Sequence, residues 1–153
     1  GVGSVQGEAV LCYGWNVNGI RAAIKKGFHE FVSDYDPDII CLQETKVEDN
    51  KFPTLEMAAL GYKEQAIYGQ KSYHGVAICS RHDLSGKRHR DWAGTSEARH
   101  VYCLINSTIK LHNFYVPAGG EQPNPKINKK FQQKLLFLKE VGSCLLKLEK
   151  VFL

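Results

Sequence analysis

The sequence is short of the features that mark membrane and secreted proteins. No apolar run in its 153 residues approaches the roughly 18 that a spanning helix needs, which excludes a membrane-spanning helix. The opening stretch GVGSVQGEAVLCYGW has no basic n-region and no long apolar core, so it does not read as a secretory leader. There is no initiator methionine, and the chain stops on the largely apolar Lys150-Val151-Phe152-Leu153, so we expect a cut boundary. Cysteines are few and odd in number: Cys12, Cys41, Cys79, Cys103 and Cys144, with no CxxC, which argues against a disulfide framework or a zinc site. Four of them lie in apolar strand-like runs (AVLCYGW, DIICLQE, GVAICS, HVYCLIN), where a thiol behaves as a small buried hydrophobe. A reducing, intracellular home, cytoplasmic and of bacterial type, is the expectation. Internal repeats, low-complexity tracts and linkers are absent as well.

What is present is a globular composition: 43% hydrophobic, 24% charged and 10% aromatic residues, enough for one domain with its own core. The net charge of +4 is unevenly spread. Residues 1–97 carry 11 Lys/Arg against 13 Asp/Glu, whereas residues 98–153 carry 9 against 3. Such a basic C-terminal third fits either a solvated helix face or a nucleic-acid partner.

Periodicity predicts a mixed α/β chain. Ala9–Val17 reads as a strand, and Ile20, Ile24, Phe28, Phe31 and Tyr35 recur at helical spacing up to the break at Pro37. Asp38–Leu42 is apolar on both faces, as a buried strand is. A short helix over Thr54–Leu60 ends at Gly61, followed by strands at Tyr62–Tyr68 and Gly75–Ser80. Arg81–Thr95 is polar and basic and reads as a loop that could hold a short edge strand; its Lys87-Arg88-His89-Arg90 run fits a solvated loop or a DNA contact. Arg99–Asn106 and Ile109–Val116 form a predicted antiparallel pair, Pro117–Lys126 a long loop, and a helix follows from Ile127 with Phe131, Leu135, Leu138, Leu145 and Leu148 on one stripe.

Polar residues collect where the buried strands end: Asn16 and Asn18 after the first, Gln43-Glu44-Thr45-Lys46 after the second, Tyr115 after the last. Ligands gather at such a rim in open sheets. Glu44 can be a strand-end carboxylate paired with Lys46, or a hard oxygen ligand for Mg²⁺, which takes one or two carboxylates along with waters and phosphate. Asn16 and Asn18 can likewise be plain turn residues.

Taken together, Trp15-Asn16-Val17-Asn18-Gly19-Ile20-Arg21, Leu42-Gln43-Glu44-Thr45-Lys46, Gly69-Gln70-Lys71-Ser72-Tyr73-His74-Gly75-Val76-Ala77, Ala98-Arg99 and Asn113-Phe114-Tyr115-Val116-Pro117 resemble, in order, the exonuclease III family of abasic-site endonucleases. The likeness runs from about Val10 to Glu140, leaving 1–9 as an N-terminal extension and 141–153 as a divergent tail. It implies a DNase I-like four-layer α/β/β/α sandwich, of which this chain would be the N-terminal half. It implies a Mg²⁺-dependent hydrolase (Mn²⁺ can replace the metal) that cuts duplex DNA at abasic sites and trims blocked 3′ ends. A relative acting on RNA or on phospholipid headgroups is the less favoured branch, because the Gln70–Val76 loop matches the repair enzymes.

By the same resemblance Glu44 matches the metal-binding glutamate, and Asn18 lies where some members place a carboxylate close to the metal. Asn16 matches the asparagine at the active-site floor and Tyr115 a tyrosine near the scissile phosphate, giving Asn16, Glu44 and Tyr115 as the catalytic set. Arg21, Lys26, Lys46, Lys71, Tyr73, His74 and Arg99 fall at or beside positions that face DNA.

The family's G-D-x-N and S-D-H segments, which supply the groups that activate water, have no counterpart among Asp34, Asp36, Asp38, Asp49, Asp83 and Asp91. Catalysis by this chain is therefore in doubt, and a catalytically inactive fragment or a weak DNA-binding half-domain is the alternative. Complete members are usually monomeric; half a sandwich is expected to leave an apolar sheet face uncovered and to self-associate.

Overall fold

The computed structural model describes residues 2–5, 8–120, 124, 126, 128–145 and 151–152. Two sheets pack face to face between helices. The first has the order β1-β2-β3-β5-β4, from β1 (Val2–Val5), β2 (Glu8–Asn16), β3 (Ile39–Gln43), β4 (Glu64–Tyr68) and β5 (Val76–Ser80). The second has the order β6-β7-β8-β9, from β6 (Leu84–His89), β7 (His100–Ile105), β8 (Ile109–Phe114) and β9 (Val151–Phe152). Helices α1 (Ile20–Lys26), α2 (Phe28–Tyr35) and α3 (Thr54–Ala59) cover the first sheet, and α4 (Lys129–Leu145) covers the second.

Within the first sheet β2 and β3 run parallel, so the chain must cross over between them, and α1 and α2 make that crossing. The helix expected over Ile20–Tyr35 is broken in two at Gly27, whose N–H closes α1 on the Ala23 carbonyl at 3.2 Å. Helical spacing survives the break because Ile20, Phe28 and Val32 all pack down on Ile40 and Leu42 of the sheet.

Alternation along the strands divides the core. Val10, Cys12, Ile39, Cys41, Val76 and Ile78 point inward and meet Leu84, Val101, Cys103, Ile105 and Leu111 of the second sheet. The inner face that half a sandwich was expected to leave bare is thus covered by strands of the same chain. On the other side Ile40, Leu42, Ala77 and Cys79 lie under the helices. Strand β3 is buried on both faces for this reason, which explains its unbroken apolar run.

Of two further expectations, the edge strand that the basic loop could hold is present, and the stripe of the last helix needs correcting. Arg81–Thr95 contains a six-residue edge strand, β6, paired antiparallel with β7 across an irregularity between Ser85 and Arg88. Only Leu84 of β6 is buried, so the strand has none of the alternation by which a sequence announces one. Among the described side chains of α4 the buried ones are Phe137 and Val141, packed on Trp92 and Phe114, while Leu135 and Leu138 are 43% and 38% exposed. The Leu135–Leu138 stripe faces out because Phe137 and Val141, one helical turn apart, take the sheet; the Leu145 side chain and Leu148 lie outside the described residues.

Between α4 and the second sheet two histidines are buried side by side. The Trp92 indole N–H, which can only donate, reaches His100 Nδ1 at 2.9 Å, so the His100 proton sits on Nε2 and is donated to His112 Nδ1 at 2.9 Å. His112 Nε2–H then faces no acceptor among the described residues. Burial pushes His100 down to about 3, with repulsion from His112 and Arg90 adding to it, and burial with Lys110 pushes His112 down to about 4. The unfolded chain takes up these protons first, near the ordinary imidazole value of about 6.5. Stability is therefore flat above that pH and is lost as pH falls toward the two lowered values, by up to about 2 kcal/mol per ring at pH 5. Urea unfolding at pH 7 and pH 5 should show this loss, and His112→Leu should roughly halve it.

Candidate active site

The parallel pairing of β2 and β3 fixes where the polar residues emerge. Asn16 lies opposite Gln43 and Gln43 opposite Val76, so the chain segments after β2, after β3 and before β5 meet at one end of the sheet. Backbone bonds then stitch them. Gly19 and Ile20 donate to the carbonyls of Glu44 and Thr45 at 2.8 and 3.0 Å, while Thr45 and Lys46 donate to those of Gly75 and His74 at 3.1 and 2.8 Å. Ser72 closes the set on the Lys46 carbonyl at 3.1 Å.

These bonds hold an unusual backbone. Asn18, Glu44, Lys46, Ser72 and His74 all have φ between 47° and 68°, a left-handed conformation that costs a non-glycine residue about 1–3 kcal/mol. Left-handed residues gathered in this way are a mark of functional sites. Gly75, at φ 95°, must be glycine: a Cβ there would stand 2.1 Å from the buried Thr45 hydroxyl.

Side chains converge on the same rim. Lys46 Nζ lies 2.6 Å from Asn18 Oδ1 and 3.3 Å from Glu44 Oε1, so the amide and the carboxylate present oxygens to one point. Asn16 Oδ1 accepts the Asn18 N–H at 3.1 Å and shapes that turn. Tyr115, just past β8, is brought in by its N–H on the Arg99 carbonyl at 2.7 Å. The Arg99 guanidinium lies 4.7 Å from the Tyr115 ring centre, donates to the Tyr115 carbonyl at 3.3 Å and to Glu97 at 2.5 Å. Burial raises the Tyr115 hydroxyl above its ordinary range, and the Glu44 carboxylate adds to this against the opposing pull of Arg99. His74 donates from Nδ1 to Gln70 Oε1 at 3.1 Å, leaving Nε2 3.9 Å from Glu97. Burial and then Arg99 lower its pKa, against Glu97 and Glu44, so its ring is neutral at pH 7.

The rim thus unites Asn16, Asn18, Glu44, Lys46, His74, Arg99 and Tyr115. Arg21 lines a cleft with Lys46 and Thr45, and Lys26 lines a neighbouring one with Trp15 and Asn18, both side chains being exposed. Lys71 and Tyr73 stand out from the Gly69–Gly75 loop into solvent. Three residues were given no role in the sequence reading, although Gln70 and Asn113 stood in its motifs. Gln70 Oε1 also accepts the Ala98 N–H at 3.1 Å, and Glu97 orients Arg99. Asn113, fully buried on β8, donates to the carbonyls of Leu42 and Ala77 at 2.9 Å each and accepts from Gln43 at 2.7 Å, clamping the second sheet to the first just under the rim. For Asn113 the available signal was its place in the Asn113–Pro117 motif, since β8 itself also holds Lys110 and His112.

No group of three or more His, Cys, Asp or Glu side chains that could hold a metal occurs among the described residues. Glu44 and Asn18 are the oxygen donors that come together, a set compatible with Mg²⁺ when waters and phosphate complete the shell. The packing at Gly75 is directly testable. Gly75→Ala should cost about 2–4 kcal/mol in urea unfolding, and adding Thr45→Ala should recover the steric part while leaving the strain of the positive φ.

Comparison with known proteins bears on the whole arrangement. The model of the Endonuclease/Exonuclease/phosphatase family matches residues 14–153. The DNA-(apurinic or apyrimidinic site) endonuclease of Dictyostelium discoideum is 28% identical over 125 residues, covering 78% of this chain and 33% of that protein. Recombination repair protein 1 of Drosophila melanogaster is 33% identical over 141 residues, covering 85% of this chain and 20% of that protein. An AP endonuclease structure from Archaeoglobus fulgidus aligns with a TM-score of 0.75 at 32% identity, over 90% of this chain and 51% of that one. A 3′ phosphatase from Neisseria bound to a product DNA hairpin aligns with a TM-score of 0.70 at 25% identity, over 93% and 54%. The chain spans a third or less of these curated relatives and about half of these solved structures. With the two facing sheets, their covering helices and the family match over nearly its whole length, the chain belongs to the Endonuclease/Exonuclease/phosphatase family.

Proposed function

We propose that this chain carries the substrate-positioning half of a DNA-repair nuclease of the exonuclease III and AP endonuclease type. The observation that supports this most is the convergence of Asn18, Glu44, Lys46, Arg99 and Tyr115 on one strand-end rim, held by backbone bonds from three separate segments. Duplex DNA with an abasic site or a blocked 3′ end is the substrate in this reading. Its phosphates lie along Arg21, Lys26 and Lys71, whose cations supply salt-dependent affinity, with Tyr73 and neutral His74 beside them. A reducing, intracellular setting suits the same reading, with Cys41, Cys79 and Cys103 as buried thiols.

Each rim group has a definable task. Glu44, with Asn18, would hold Mg²⁺ or Mn²⁺, which when bound supplies Lewis-acid polarisation of the phosphoryl group. Lys46, which bonds those two oxygens in this structure, would yield them to the cation and turn its ammonium to a phosphate oxygen. Tyr115, kept protonated by burial and by Glu44, donates a hydrogen bond to developing phosphate charge. Asn16 orients Asn18 through its turn bond. His74 and Arg99 position the Tyr115 side of the rim, and neutral His74 is free of repulsion from the neighbouring guanidinium.

What these 153 residues do not contain is a G-D-x-N or S-D-H segment to activate water. General-base catalysis needs a base within hydrogen-bond reach of that water. The chain is accordingly expected to bind duplex DNA through the rim and to cut it feebly or not at all. A duplex with a single abasic site, assayed for nicking with Mg²⁺ and then with EDTA, tests this directly. Salt-dependent binding that weakens in Lys71→Gln, with nicking at background, is the expected outcome. Robust nicking that is abolished by EDTA and by Glu44→Gln would show that the missing segments are dispensable.

A further inference from the structure

Edge strand β6 has a charge polarity that its pairing alone does not require. It starts at Leu84 opposite Ile105 and ends at His89 opposite Val101, and Arg90 continues the ladder by donating to the His100 carbonyl at 3.3 Å. The start lies at the carboxylate-bearing end of the molecule, where Glu64 accepts the Leu84 N–H at 3.1 Å and Asp38 sits 3.7 Å from His82. The other end lies beside Arg99, which precedes β7, and hence at the rim. Lys87, Arg88, His89 and Arg90 all fall in that rim-ward half, while Ser85 and Gly86 before them carry no charge.

A specific contact fixes this strand end in place. The His89 ring stacks on Tyr68 with centroids 3.9 Å apart, and the Tyr68 hydroxyl donates to the Asp91 carboxylate. Tyr68 ends β4 three residues before Lys71, so the basic end of β6 is pinned against the base of the loop that carries Lys71, Tyr73 and His74. Rim carboxylates around it are engaged: Asp91 by Tyr68, Asp49 by the Gly69 N–H at 2.6 Å, and Glu97 by Arg99. Lys87 and Arg88 are exposed, and neither forms an ion pair among the described residues.

From this geometry we propose that Lys87 and Arg88 form a second phosphate-contact site for duplex DNA, outside the Gly69–Gly75 loop, gripping the backbone that flanks the rim. It rests on the DNA-binding reading above and adds a named surface to it. Charged side chains on an edge strand also discourage edge-to-edge pairing. That duty is indifferent to which half of the strand holds the charge, and it needs no stacking of His89 on Tyr68.

The test is the salt dependence of duplex binding by the 153-residue chain, followed by fluorescence anisotropy from about 50 to 200 mM salt. The variants are Lys87→Gln/Arg88→Gln, Lys71→Gln, and Lys63→Gln, which removes an exposed cation at the far end of β4. Loss of two phosphate contacts should flatten the slope of log Kobs against log salt by about two in the double variant. Lys63→Gln should leave it unchanged, and thermal unfolding should be the same for all. If Lys71→Gln flattens the slope and the double variant does not, the second site is overturned while the rim reading stands. Absence of salt-dependent binding by the unsubstituted chain overturns both. Aggregation of the double variant at an unchanged slope also overturns the proposal and assigns the two cations to edge protection.

Discussion

The site depends on a constraint of backbone geometry: β2 and β3 are parallel neighbours, so both deliver their C-terminal residues to the same end of the sheet. Antiparallel neighbours would have sent Asn16 and Glu44 to opposite ends. The short segment after β3 then acts as a hub, accepting N–H groups from the turn after β2 and donating its own to the stretch before β5. Five left-handed non-glycine residues are tolerated there because the bonds on either side over-determine their conformation. Gly75 completes the hub by leaving room for the Thr45 hydroxyl.

Electrostatics at this rim follow from how each charge is tied down. Glu97 meets Arg99 and Asp91 meets Tyr68, whereas Glu44 shares its Lys46 with a neutral amide and remains the carboxylate at the centre of the set. Tyr115 and His74 respond in opposite directions to the same surroundings, the phenol raised and the imidazole lowered, each held neutral. The rim is thus rich in hydrogen-bond donors of fixed orientation, and its proton acceptors are the Glu44 carboxylate and the Nε2 of neutral His74. In the proposed reading, positioning is the requirement of phosphodiester hydrolysis that this chain supplies, the G-D-x-N and S-D-H segments having no counterpart in it.

Much of this was legible before any coordinates. Strand β3 was readable because burial on both faces leaves an unbroken apolar run, and the polar residues after it marked the rim. Local rules failed wherever long-range packing decided. β6 was readable only as an option within a basic loop, because an edge strand with a single buried residue leaves no alternation. The leucines of α4 outnumber Phe137 and Val141, yet the larger aromatic takes the slot beside Trp92 and Phe114. The single stripe from Ile20 to Tyr35 hid a break, since both halves face the same sheet. The covered inner face was missed for a related reason: facing sheets drawn from one half of the fold cannot be inferred from strand count alone. Asn113 and Gln70 act across 71 and 28 residues of chain, a distance at which sequence spacing carries no information.

That reach of Asn113 has a kinetic side. Its amide bridges two strands of the first sheet from a third that lies in the second, so the clamp closes only after both sheets have formed and docked. Contacts between residues so far apart in sequence are slow to form, because loop-closure entropy is lost before any packing is gained. The rim should therefore be among the last parts of the molecule to order during folding. A collapsed intermediate with native-like strands would still lack it, which makes the proposed binding of DNA a stricter indicator of complete folding than secondary-structure content.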